Sequence, residues 1–171
     1  MKKIIQSLFA ITFIAALSLN AEAKTISVLI VDGQNNHNWR AMTPWMKAQL
    51  EATKIFSVDV STTPQRTRLP GNLTKEQRAK AVKAANELNA KQWKEWSPAF
   101  ANYDVIVSNY NGQEWPASVK SNFEKFMKDG GRFVVVHAAD NSFPNWHEYN
   151  KMIFFVSGGG PTEKHGPYVY Y

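Results

Sequence analysis

The stretch Arg132-Phe133-Val134-Val135-Val136-His137-Ala138-Ala139-Asp140-Asn141-Ser142-Phe143-Pro144-Asn145-Trp146 decides the fold. Four consecutive apolar residues follow the Gly130-Gly131 break and Arg132, and a β-branched run bounded by turn signals predicts a strand buried on both faces. At its carboxyl end the sequence turns polar. Open α/β sheets bind ligands just outside the carboxyl ends of their strands, which puts His137, Asp140 and Asn141 where a site is expected.

Working outward, the same pattern recurs. Ile26, Val28, Leu29, Ile30 and Val31 form a nearly continuous apolar run ended by Asp32-Gly33, as a central parallel strand requires. Val105-Ile106-Val107 is a third buried run, followed by the polar cluster Ser108-Asn109-Tyr110-Asn111-Gly112, whereas the alternating Phe56, Val58 and Val60 read as a strand nearer an edge. Helical spacing separates these runs. Met42, Trp45, Met46 and Leu50 give one buried face, with Pro44 placed in the first turn and the preceding asparagines as caps. Thr74 and Gln77 form a capping box that opens a long helix with Ala79, Val82, Ala85, Leu88 and Trp96 on one side. Pro116 starts a third helix, striped by Val119, Phe123, Phe126 and Met127 and stopped at Gly130. Strands followed in turn by helices predict a doubly wound α/β fold with a mainly parallel sheet.

The two ends read differently. Lys2 and Lys3, an apolar run from Ile4 to Leu19 and the small-x-small site Ala21-Glu22-Ala23 predict a signal peptide over residues 1–23, hence an exported protein without a stable membrane anchor after cleavage. A single domain is expected from Lys24 to Tyr171. After Trp146 the pattern allows a short helix to Ile153, a short strand at Phe154–Val156, a turn at Gly158-Gly159-Gly160-Pro161 and a strand-like run at Tyr168–Tyr171. A chain stopping inside such a run predicts a domain truncated at its C-terminus.

Composition removes several classes of function. There is no cysteine, so disulfides, thiol nucleophiles and lipid-modified cysteines are excluded. Without Lys2, Lys3 and Glu22, the 20 basic and 14 acidic side chains become 18 and 13, a net charge of +5. The bases between Arg66 and Lys94 are interspersed with Glu76, Glu87 and Glu95, which reads as a solvated helix face and gives no basis for a nucleic-acid partner. G-x-G-x-x-G, the phosphate-binding G-x-x-x-x-G-K-[ST] and G-x-S-x-G are all absent.

What remains is a convergence. Three strand ends contribute His37 with its asparagines, Asn109 with Asn111, and His137 with Asp140 and Asn141; a parallel sheet makes such distant positions neighbours along one edge. Imidazole moves protons near neutral pH and also binds metals, so His37 and His137 are candidates for acid–base work or for holding a divalent metal, although no HxH or HExxH spacing occurs. Asp140 would orient a histidine. Asn109, Asn111 and Asn141 suit sugar hydroxyls, and Trp39 and Trp146 suit the C–H faces of a sugar ring, as substrate-binding residues. Trp45, Trp93 and Trp96 read as core. Asp32 reads as a hydrogen-bond partner of the loop.

The run Asp32-Gly33-Gln34-Asn35-Asn36-His37-Asn38-Trp39, the segment Tyr103-Asp104-Val105-Ile106-Val107, Gly130-Gly131 and above all His137 to Trp146 resemble the trehalose-utilisation, or ThuA-like, family. The likeness covers most of Lys24 to Ile153. It implies a class I glutamine amidotransferase-like fold, a three-layer flavodoxin-like sandwich, and a link to sugar metabolism in bacteria. In amidotransferase relatives a cysteine nucleophile occupies the sharp turn after the strand corresponding to Phe133–Val136. Here His137 stands there, so glutamine hydrolysis through a thioester is not available. The tail departs from the family at Phe154-Phe155-Val156. The resulting expectation is an exported, sugar-processing enzyme of hydrolase or isomerase type acting on a trehalose-like or oxidised disaccharide. A non-catalytic carbohydrate- or partner-binding domain and an inactive fragment stay open as alternatives.

Overall fold

The apolar runs become four parallel strands and the helical stripes four α-helices in the computed structural model, which describes residues 24–153. The chain order is β1 (Ile26–Asp32), α1 (Trp39–Ala52), β2 (Phe56–Thr62), α2 (Lys75–Glu95), a short 3-10 turn, β3 (Val105–Ser108), α3 (Ala117–Lys128), β4 (Arg132–Val135), a 3-10 turn at His137–Asn141 and α4 (His147–Met152). The signal peptide and the strands and turn expected after Ile153 lie outside the described residues. No described helix is long and apolar enough to cross a membrane.

The sheet order is β2-β1-β3-β4, all parallel. β1 is flanked on both sides, pairing Val28 with Val58 and with Val105, and β2 lies at an edge as its alternation predicts. The order reverses between β1 and β3, and in doubly wound sheets that switch point is where the loops part to leave a crevice. The flavodoxin-like α/β architecture expected from the sequence is therefore the one observed.

Helix ends follow their local chemistry. The Asn38 side chain accepts from Ala41 N (3.3 Å) and fixes the start of α1, so Pro44 falls inside the helix and not in its first turn. The capping box of Thr74 and Gln77 forms with both bonds in place. α3 ends in a Schellman motif: Gly131 N donates to Phe126 O (2.9 Å) and Gly130 N to Met127 O (3.1 Å), with Gly130 at φ +93°.

Three expectations about burial are corrected. β4 is not buried on both faces, because only β3 borders it among the described residues and Val134 remains 49% exposed. Trp45 is 64% exposed and is not core. On α2, Val82 and Leu88 face outward, and the inward stripe runs through Ala81, Ala85, Asn89 and Trp93. The two large rings set that rotation: Trp93 is buried edge-on to Trp96, whose indole N–H donates to Ser61 Oγ (3.0 Å).

Candidate functional site

The site begins with the sharp turn at Gly33. Its φ is +123°, and a side chain there would meet Thr63 Oγ1 at 2.3 Å, so glycine lets the loop fold back over the end of β2. From there the loop is stitched to β3. Asn111 N donates to Gln34 O (2.8 Å), and the Gln34 amide bonds Gln113 both as donor (3.0 Å) and as acceptor (3.1 Å). Asn35 Nδ2 reaches Asn109 Oδ1 (3.3 Å), Asn109 Nδ2 donates to Thr43 Oγ1 of α1 (3.1 Å), and Asn35 Oδ1 accepts from His37 N (2.9 Å). This chain of amides fixes where His37 stands.

The second histidine stands on a strained turn. His137 has φ +45°, a region that side chains rarely occupy, one residue beyond the end of β4. The backbone beyond it is held from below. Ala138, Ala139, Phe143 and Tyr149 are buried, Tyr149 Oη donates to Ala139 O (2.6 Å), and Ser142 Oγ donates to Tyr110 O (2.5 Å). Such over-determination is what keeps a strained residue in place. The outcome is a pair of exposed imidazoles, His37 and His137, with ring centroids 4.5 Å apart and planes at 43°.

The other sequence candidates divide. Asn111 is partly exposed, Trp39 is partly exposed and Asn141 is exposed, all beyond the carboxyl ends of the strands. Two do not face solvent. Asn109 is 1% exposed with its amide committed to Asn35 and Thr43, so it positions the loop and offers nothing to a sugar hydroxyl. Trp146 is packed among Trp115, Phe123, Phe143 and Tyr149, and its indole N–H donates to Glu124 (2.7 Å), so it is core and not a platform. Asp140 does not orient a histidine through Oδ1, which is buried without a partner. Asp32 accepts from Thr62 Oγ1 (2.7 Å), and burial pushes its carboxyl above the ordinary range.

A polar pocket of about 410 Å³ opens beside the same loop, lined by Gln34, Asn35, Trp39, Arg40, Asn111 and, from the segment after β2, Gln65, Arg66 and Arg68. The arginines were legible by the strand-end rule applied to β2 as well as to the other strands. Pro64, Pro70 and Gly71, on the other hand, give the segment Thr62 to Asn72 the pattern of a plain surface loop. Among the described residues no three His, Cys, Asp or Glu side chains cluster closely enough to hold a metal ion. His37 and His137 would supply two ligands, short of the three that catalytic zinc sites use.

The parallel sheet, its switch point and the polar carboxyl edge define a flavodoxin-like α/β protein. A solved structure places it further: the chain is similar to a protein from Parabacteroides merdae ATCC 43184 described as ThuA-like, at 30% identity and a TM-score of 0.59, over 75% of this chain and 38% of that one. The chain thus resembles a ThuA-like protein in fold as well as in motif, while spanning well under half the length of that relative. No protein-family model and no curated protein matches it.

Proposed function

We propose that this is an exported ThuA-like domain that processes a small carbohydrate with histidine chemistry. The observation that carries the reading is the His37–His137 pair, two exposed rings 4.5 Å apart. Imidazole accepts and donates protons near neutral pH. Two facing rings therefore suit a base and an acid working on one sugar, one taking a proton from a hydroxyl or from carbon beside a carbonyl, the other returning a proton to a nearby oxygen. That serves hydrolysis or isomerisation of a trehalose-like or oxidised disaccharide, with Trp39, Asn111 and Asn141 as its contacts. No cysteine is present to support an amidotransferase reaction.

Turnover of a panel of oxidised and unmodified disaccharides by the full chain tests the proposal. His137→Ala is expected to lower turnover by at least about 100-fold, the usual scale for a lost acid–base group, with the far-ultraviolet spectrum unchanged. Unchanged turnover overturns the assignment, and binding without any product favours a carbohydrate-binding role. Export predicts a mature N-terminus at Lys24, read by mass spectrometry of protein recovered outside the cytoplasm; retention of residues 1–23 overturns it.

A further inference from the structure

The pocket beside the histidine loop carries a charge pattern that a neutral sugar does not need. Its wall holds Arg40, Arg66 and Arg68 and no carboxylate. None of the three forms an ion pair: all six ion pairs among the described residues are made by lysine. Three guanidinium groups around one concavity repel one another, and an arrangement of that kind is relieved by an anion.

The pocket is also held in shape. Arg40 lies over the Trp39 ring, its Cζ 4.2 Å from the centroid, and its Nη2 donates to Gln65 Oε1 (3.3 Å). Gln65 is tied in turn: its side chain donates to Thr63 O (2.8 Å), and its carbonyl accepts from Asn89 of α2 (3.3 Å). Arg66 and Arg68 thus leave a loop pinned by the helix behind it. Guanidinium presents a planar fork that matches a carboxylate or phosphate with two parallel bonds, and stacking on an aromatic ring lowers the entropy lost when it does so. Asn111 supplies an amide at the same wall, and Trp39 an aromatic face.

Resting on the carbohydrate reading above, we propose that the substrate is an acidic saccharide, whose carboxylate or phosphate group is held by Arg40, Arg66 and Arg68 while its sugar portion extends toward His37 and His137. The pocket and the histidine pair are built from one loop, since Gln34, Asn35 and Trp39 line the first and His37 belongs to the second. The anionic group would fix the register of the sugar, a positioning role distinct from proton transfer.

Calorimetry on the full chain tests this with three probes: a glucuronate-containing disaccharide, glucose 6-phosphate and a neutral glucose disaccharide. At least one acidic probe is expected to bind about tenfold or more tightly than the neutral one, the scale of one charge-assisted hydrogen bond, and to weaken with added salt. Which acidic probe binds distinguishes carboxylate from phosphate. The exposed substitutions Arg66→Gln and Arg68→Gln together are expected to abolish the preference, and Arg66→Lys to restore part of it. Equal binding of acidic and neutral probes, no binding of either acidic probe, or a preference that survives in the double variant overturns the proposal. The two readings fail separately: turnover of a neutral sugar that depends on His137 would remove the acidic specificity alone, and arginine-dependent binding of an acidic sugar with no role for His137 would remove the catalytic reading alone.

Discussion

The two faces of the sheet differ in how completely they are closed. On one, Leu29, Val31 and Ile106 lie beneath a continuous aromatic layer of Phe100, Trp115, Phe123, Phe143, Trp146 and Tyr149 supplied by α3, α4 and the turns beside them. Phe123 alone meets Phe133 at 4.9 Å and Phe100 at 5.3 Å, both edge-on, and such pairs add about 0.5–1.5 kcal/mol each beyond the area they bury. On the other, Val28, Ile30, Val58 and Val107 are covered by α1, and an apolar groove of about 510 Å³ remains between Trp45, Met46 and Leu50 on the helix and Val105, Val134 and Val136 on the sheet. The closed face lies under the His137 turn and clamps it. The half-open face lies under α1, whose first turn carries Trp39 and Arg40.

Substitutions that remove the same chemistry from each face should therefore separate widely. Phe123→Ala, at a fully buried ring, is expected to cost about 3–5 kcal/mol in guanidinium unfolding. Val134→Ala, at a residue 49% exposed, should stay within about 0.5 kcal/mol, as should Trp45→Gln at 64% exposed. A large loss at Val134 or Trp45 would mean that the groove is filled in solution, and the contrast between the faces would collapse. A small loss at Phe123 would mean that the aromatic layer repacks around the hole.

The contrast also explains what the amino-acid sequence discloses and what it hides. A run such as Val134-Val135-Val136 specifies a strand, because β-branched side chains fit an extended backbone whatever covers them. It does not specify how many layers cover it, and so β4 was expected to be buried twice and is not. The histidine pair was legible because parallel topology brings strand ends together by a general rule. Asn109, at the end of β3, and Trp146, at the start of α4, fail as ligand contacts for reasons of partnership. Asn109 finds Asn35 and Thr43, and Trp146 finds Glu124, from segments far away in the chain. Arg66 and Arg68 show the converse, since only the folding of their loop against Asn89 converts two ordinary surface charges into the wall of a pocket.

Asp32 offers the finest test of the comparison, because it closes the half-open face at its carboxyl end. Its side chain follows Val28 and Ile30 along β1, and it is 2% exposed with Thr62 donating to it at 2.7 Å. Burial raises its pKa above the 3.8 of a free carboxyl, against the opposing pull of the Thr62 and Thr43 hydroxyls and of Arg40. The folded state therefore holds this proton more tightly than the unfolded state. The carboxylate costs stability above the raised folded value, and the cost disappears as pH falls below the unfolded value. Asp32→Asn keeps an acceptor for Thr62 and removes the titration. The variant should thus gain on the wild type as pH rises through the ordinary carboxyl range and on through the raised folded value. Denaturant titrations of both proteins across that range read the difference directly. A gain for the variant toward acid instead would mean that Asp32 is stabilised as a carboxylate.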